Sequence, residues 1–362
     1  MQHLNFDQFR LGVTQVLGSV RLAPVLRQDC PGDLRLGPVG VSEERVASAD
    51  GKANYLSYFP HALIARFSQD GSALVPQGTQ LGQPSRLCSL GRVYRRTGPG
   101  EVAFLPLHVA MEGFLSLHFK GPEIAWPEYV RQVRRRGLGF RLETSASGWV
   151  VKGLERALAC FEWHPHQVGS LLFVDDEFLA AFVVSHPQDY RKLHRSLLTD
   201  FFPEQVLHYG YLRAAEDRVS FGPAKNLDEL RRELERQRSQ HHQLNSLRAE
   251  SLVNRPVQAH QVYKLGPFRL QRFCTDLARG VDNHIGEAIL RADGKLEYLK
   301  SYRLSEAQSR RAFLLRSLAE ADWNLGRAAE SLHCVDEEEV ARLLIHAGFG
   351  YLLNPELVRR AR

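Results

Sequence analysis

Two phrases of this chain occur twice, in the same order. LGSVRL at 17–22 returns as LGPFRL at 265–270, and VASADGKANYLSY at 46–58 returns as ILRADGKLEYLKSY at 289–302. Each sets apolar or alternating residues around a glycine-containing turn, the pattern of a β-hairpin. A duplicated β unit accounts for the ordered self-similarity, and so does repeated use of common hairpin chemistry. Under either origin, both stretches are committed to sheet.

The residues around these phrases extend the reading to an α+β chain of five regions. Residues 1–104 form a β-rich N-terminal region, with short runs such as HALIARF and EVAFLPL between the turns CPGD, ADGK, SQDG and TGPG. Residues 105–224 read as a mixed α/β domain. LPLHVAMEGFLSLHF is helix or buried strand, and AWPEYVRQVRRRG is a helix with Pro127 in its first turn and Gly137 at its stop. KGLERALACFEWH is a further helix. VGSLLFV and FLAAFVV then form a hairpin around Asp175, Asp176 and Glu177, and Tyr190, Leu193, Leu197 and Phe201 share a helix face before Pro203. Residues 225–253 form a charged connecting helix capped by Asn226, whose apolar seam fails around Gln237 to His241, so packing by its ends is favoured over a coiled coil. Residues 254–303 are a β-hairpin region echoing 17–58, and 304–362 form a tri-helical tail.

Composition narrows the class without naming a function. The 362 residues are 44% hydrophobic and 24% charged, ordinary for a globular protein of about two or three domains. No run of apolar residues is long enough to span a membrane, and MQHLNFDQFRLGV lacks the layout of a signal peptide, so a cytoplasmic protein without membrane partners is expected. Five scattered cysteines without a CxxC give neither a disulfide framework nor a cysteine zinc site. Neither a metal nor a cofactor is expected. The net charge of +6 and pI near 9.1 suit an acidic partner without specifying one.

The tail carries the clearest local pattern. Ser305 caps EAQSRRAFLLRSLAEA, and Asn324 caps a helix whose Leu325, Ala328, Ala329 and Leu332 face one way. Val340, Leu343 and Leu344 mark a third helix before Gly348. On the marks Asn324, Ala328, Ala329, Leu332, Leu343 and Gly348 the segment resembles the Fis-type helix-turn-helix, which implies a tri-helical fold and a DNA-reading third helix. That helix nevertheless opens on Asp336, Glu337, Glu338 and Glu339, which favour the positive end of a helix dipole and repel phosphate. Residues 301–362 hold nine basic and nine acidic side chains, so the tail has no electrostatic footprint for DNA. If DNA is bound, Arg327, Arg342, Arg359, Arg360 and Arg362 are the phosphate contacts, with Arg310 and Arg311 beside them. Contact with a protein partner, or self-association, is the favoured expectation.

The middle region holds the residues that could do chemistry. CFEWHPHQVG supplies His164 and His166, two apart and so on one face of a strand, followed by Asp175, Asp176, His186, Asp189 and His194. His164, His166, Asp175 and Asp176 are the weak catalytic candidates, against a bland alternative of surface histidines and solvated turn acids. Glu112 reads as a buried acid or an arginine partner. Arg131, Arg134 and Arg135 share a helix face that could hold an anion, or simply face solvent. No P-loop, GxSxG, HExxH or GxGxxG occurs.

LPLHVAMEGFLSLHFKGPEIAW, GLERALACFEWHPHQVGSLLFV and FVVSHPQDYRKLHRSLLTDF within 105–212 resemble a bacterial domain family named for its association with ADP-ribosylglycohydrolases and rhodanese-phosphatase proteins. The resemblance implies an accessory domain in systems that handle ADP-ribose or related nucleotide-like small molecules. It carries over no catalytic residue. The expected function is a non-enzymatic regulatory or adaptor protein, whose ligand- or partner-sensing body joins a helix-turn-helix tail that contacts protein or, less favoured, DNA. The alternative is a hydrolase or binding protein acting on ADP-ribose or a related nucleotide derivative.

Overall fold

The computed structural model describes residues 1–17, 20–30, 34–38, 44–48, 54–57, 64–67, 73–74, 80–81, 102–104, 115–116, 118–119, 163–174, 177–194 and 224–362. Asp175, Asp176, Glu112 and the Arg131, Arg134 and Arg135 face lie outside them. The first strands are β1 (Phe9–Leu11), β2 (Gln15–Leu17), β3 (Val20–Arg27), β4 (Leu34–Pro38), β5 (Glu44–Ser48), β6 (Asn54–Ser57), β7 (Ile64–Phe67), β8 (Ala73–Leu74), β9 (Gln80–Leu81) and β10 (Val102–Phe104). The later ones are β11 (Gln167–Val174), β12 (Glu177–Val183), β13 (Val257–Leu265), β14 (Phe268–Thr275), β15 (His284–Arg291) and β16 (Leu296–Arg303). The labelled helices are α1 (Leu227–Val253), α2 (Glu306–Glu320), α3 (Leu325–Leu332), α4 (Glu337–His346) and α5 (Pro355–Arg360). Mixed α and β structure around a large antiparallel sheet agrees with the expected class.

The chain divides into two compact units. One comprises Met1–Tyr58, Thr79–Pro84 and Trp149–Arg303, the other Phe59–Gly78, Ser85–Gly148 and Leu304–Arg362. The first unit holds a nine-stranded sheet in the order β1-β3-β11-β12-β16-β15-β14-β13, with β2 also on β3. Strands from 1–27, 167–183 and 257–303 thus share one sheet. Its order reads alike from both ends: an edge, formed by β1 and β2 at one end and β13 at the other, then the strand that follows it in the chain, then an antiparallel pair.

The first echo is matched in register, Leu17 pairing with Val20 as Leu265 pairs with Phe268. The second is not placed alike. β15 and β16 lie in the nine-stranded sheet, whereas β5 and β6 belong to a separate four-stranded one, and β11 with β12 takes the place beside β3.

β3 carries Pro24 in its middle, which cannot donate to a neighbouring strand. The chain accommodates it at the break between β1 and β2, where Gly12 N donates to the Pro24 carbonyl at 2.7 Å. One core cluster of this unit lies on one sheet face, where Ala23, Val25, Leu171, Phe173 and Leu299 pack with Leu252 of α1. Each such side chain taken fully from water contributes about 1.5–3 kcal/mol. α1 is capped by Asn226, which accepts from Glu229 N, and buries Asn245, Ala249 and Leu252 only in its last third.

In the second unit β10, β7 and β8 form a three-stranded sheet. Ser305 and Gln308 close a capping box on α2, and Asn324 and Asp336 cap α3 and α4. Ala341 of α4 packs with Leu357 and Ala361, which brings α5 onto the same small core. Asp322 and Trp323 between α2 and α3 have φ of 50° and 60°, a left-handed pair of non-glycine residues. The Arg327 Nη2 holds that turn by donating to the Ala321 carbonyl and to Asp322 Oδ2, both at 2.9 Å. No helix among the described residues is long and apolar enough to cross a membrane.

Candidate functional site

A charged interior group of the first unit centres on Glu297, which is fully buried. Its place is set by a register shift: Ile289 faces Tyr298 while Leu290 faces Leu296, so Glu297 is the extra residue of a β-bulge in β16. A bulge re-aims a side chain that regular alternation would place elsewhere. Arg27, at the end of β3 and also fully buried, approaches the carboxylate with Nη1 at 3.3 Å and Nη2 at 3.5 Å. Arg291 Nε donates to Glu297 Oε1 at 3.1 Å, and Ser185 Oγ, just past β12, donates to Oε2 at 2.5 Å. Gln8 binds both sides, accepting from Arg27 Nη2 at 3.5 Å and donating to the Leu296 carbonyl at 2.5 Å. Side chains from β3, β15 and the residues following β12 therefore converge on one carboxylate of β16, and the N-terminal segment reaches it through Arg27.

Further polar groups border it. Arg27 Nε lies 3.8 Å from Asp29, whose side chain is 67% exposed. His186 follows Ser185, and the half-exposed Arg35 grips buried Asp189 through two bonds of 2.9 and 2.8 Å. Burial first, then the Arg35 guanidinium, hold the His186 imidazole below its ordinary value, with Asp189 opposing. Burial raises the Cys30 thiol, with the Arg27 guanidinium opposing.

A second, neutral network occupies the other side of β11 and β12. The Tyr190 hydroxyl lies 2.5 Å from Ser170 Oγ and 2.7 Å from His194 Nδ1, and Gln167 Nε2 donates to Ser170 at 3.3 Å. Burial pushes the Tyr190 hydroxyl up and the His194 imidazole down to about 3. Trp163 meets the His194 ring edge-on at 4.4 Å.

Of the catalytic candidates read from sequence, His164 and His166 do come together, with ring centroids 5.7 Å apart and the His166 amide donating to His164 Nδ1 at 3.1 Å. Burial first, then His166 and Arg10, lower the His164 imidazole. Among the described residues no group of three or more His, Cys, Asp or Glu could hold a metal ion. Sequence reading missed Glu297, Arg27, Arg291 and Ser185, because "LEY" in a hairpin carries no mark of a bulge. In the tail, Arg327 is engaged by its own turn, Arg360 Nη1 lies 4.0 Å from Glu338, and Arg342, Arg359 and Arg362 are exposed.

A model of the ARPP-2 family matches residues 4–266. This chain belongs to the ARPP-2 family. No curated protein and no solved structure matches it. The ARPP-2 match corrects both resemblances drawn from sequence: it covers 4–266, well beyond 105–212, and neither an ADP-ribosylglycohydrolase family nor a Fis-type helix-turn-helix family is matched. The physical reason is that apolar strands, capping Asn and a packed Ala pair are demanded by any hairpin or small helical unit. The ARPP-2 span ends at Gly266, so Gln8, Arg27 and Ser185 lie inside it while Arg291 and Glu297 lie beyond it.

Proposed function

We propose that this ARPP-2 chain is a non-enzymatic regulatory or adaptor protein, with a ligand-sensing sheet body and a tail that contacts protein. In this reading α2, α3 and α4 are a helix-turn-helix used for protein contact, with DNA contact the lesser role. The observation that carries it is the start of α4. Val335 is 92% exposed, and the adjoining turn is Asp336, Glu337, Glu338 and Glu339. Leu343, on the same helix, is 42% exposed. An exposed apolar residue beside carboxylates suits a protein surface, whereas a phosphate backbone calls for free cations there. Arg327 and Arg360, two of the five arginines available for phosphate, already have acidic neighbours.

The test is titration of a labelled DNA duplex with the full chain at low salt. No saturable binding is expected. Binding that falls steeply with salt and weakens in the Arg359→Ala, Arg360→Ala double variant would overturn the protein-contact reading.

A further inference from the structure

Two buried nitrogens at the Glu297 centre have no hydrogen-bond partner: Arg27 Nε and His186 Nε2. They belong to one cluster, since the charges of Arg27 and Glu297, which are bonded to each other, both act on the His186 ring. Buried donors are nearly always paired in native proteins, so each of these two orphans calls for an acceptor. Glu297 cannot supply it, because Arg27, Arg291 and Ser185 already occupy its oxygens. Asp29 approaches Arg27 Nε only to 3.8 Å and is 67% exposed, so it can turn into solvent at little cost. With Asp29 turned away, three guanidiniums (Arg27, Arg35 and Arg291) face two carboxylates (Asp189 and Glu297), an excess that matches one negative charge.

We propose that a small oxyanion, a carboxylate or a phosphate, binds at Arg27 Nε and His186 Nε2 and displaces Asp29. This rests on the reading of the body as ligand-sensing and names the chemical class it senses. The oxyanion accepts a charge-assisted bond from the guanidinium and a second bond from the imidazole in its Nε2-protonated tautomer. Asp29 is then a built-in competitor, and His186 sets which oxygen geometry fits.

Thermal denaturation of the full chain, titrated with inorganic phosphate and separately with acetate against chloride at equal ionic strength, tests this. Both anions, or one of them, should raise the melting temperature in a saturable way, and the arm that does so identifies the source chemistry. Asp29→Asn, at an exposed position that leaves the fold intact, should bind about twofold to fivefold more tightly. His186→Ala should bind about fivefold more weakly. Equal responses to phosphate, acetate and chloride would overturn the site, as would an affinity unchanged by Asp29→Asn. Such a failure leaves the tail reading standing, which only the DNA titration can remove.

Discussion

The Glu297 centre and the Ser170, Tyr190, His194 chain are both buried polar networks beside β11 and β12, yet they are built on opposite terms. Around Glu297 charged members sit at the centre and the Arg27 contacts are long, at 3.3 and 3.5 Å, with a donor left over, although Ser185 comes to 2.5 Å. Around Tyr190 the members are neutral and the contacts of its hydroxyl are short, at 2.5 and 2.7 Å. A buried charge held by loose contacts stays costly unless all its partners remain, and it can accept a new one. A short neutral chain specifies side-chain positions and gives little to an incoming group.

The largest effect should come from breaking the charged network. Glu297→Ala leaves the fully buried Arg27 without its counter-charge and should destabilise the fold by about 3–5 kcal/mol in chemical denaturation. Glu297→Gln, which keeps an acceptor, should cost less, and equal losses would show that shape rather than charge matters there.

The neutral network should instead reveal itself through pH. Below the ordinary histidine value of 6.5 the unfolded chain binds a proton that folded His194, held down to about 3, refuses. Its contribution is therefore complete above that value and is lost as pH falls through the window, by about 2 kcal/mol near pH 5. Denaturation of His194→Gln at neutral and mildly acid pH should show that share of the slope gone. Fully buried His284 is also held at about 3, by burial and by Arg303 and Arg255, so part of the acid slope should persist in that variant.

Tyr190→Phe should cost about 1–2 kcal/mol, since it strips the shared hydroxyl from Ser170 and His194 while keeping the ring. The smallest effect belongs to the tail: Arg360→Ala removes only an exposed pair and should leave stability within about 0.5 kcal/mol.

Much local structure was legible in the chain itself. Asn226, Ser305, Asn324 and Asp336 each cap a helix as their residue types require, because a cap depends on neighbours three residues away. The acidic start of α4 has the same local cause. Strand order was not legible, because β12 pairs with β16 through Ala181 and Ser301, which lie far apart in the chain. Glu297 was hidden for a related reason: its burial depends on a bulge in β16 and on an arginine from β3. Likewise the second ADGK phrase gave no sign that its counterpart would join a different sheet.

The pairing of β12 with β16 also bears on how this protein can be cut. A fragment ending with the ARPP-2 match would stop after β13 and lose β14, β15 and β16. β12 would then present a bare, largely apolar rim, FLAAFV, to any other chain in solution. Unpaired rims of that kind stick to one another, so the shortened protein should aggregate more readily than the full chain.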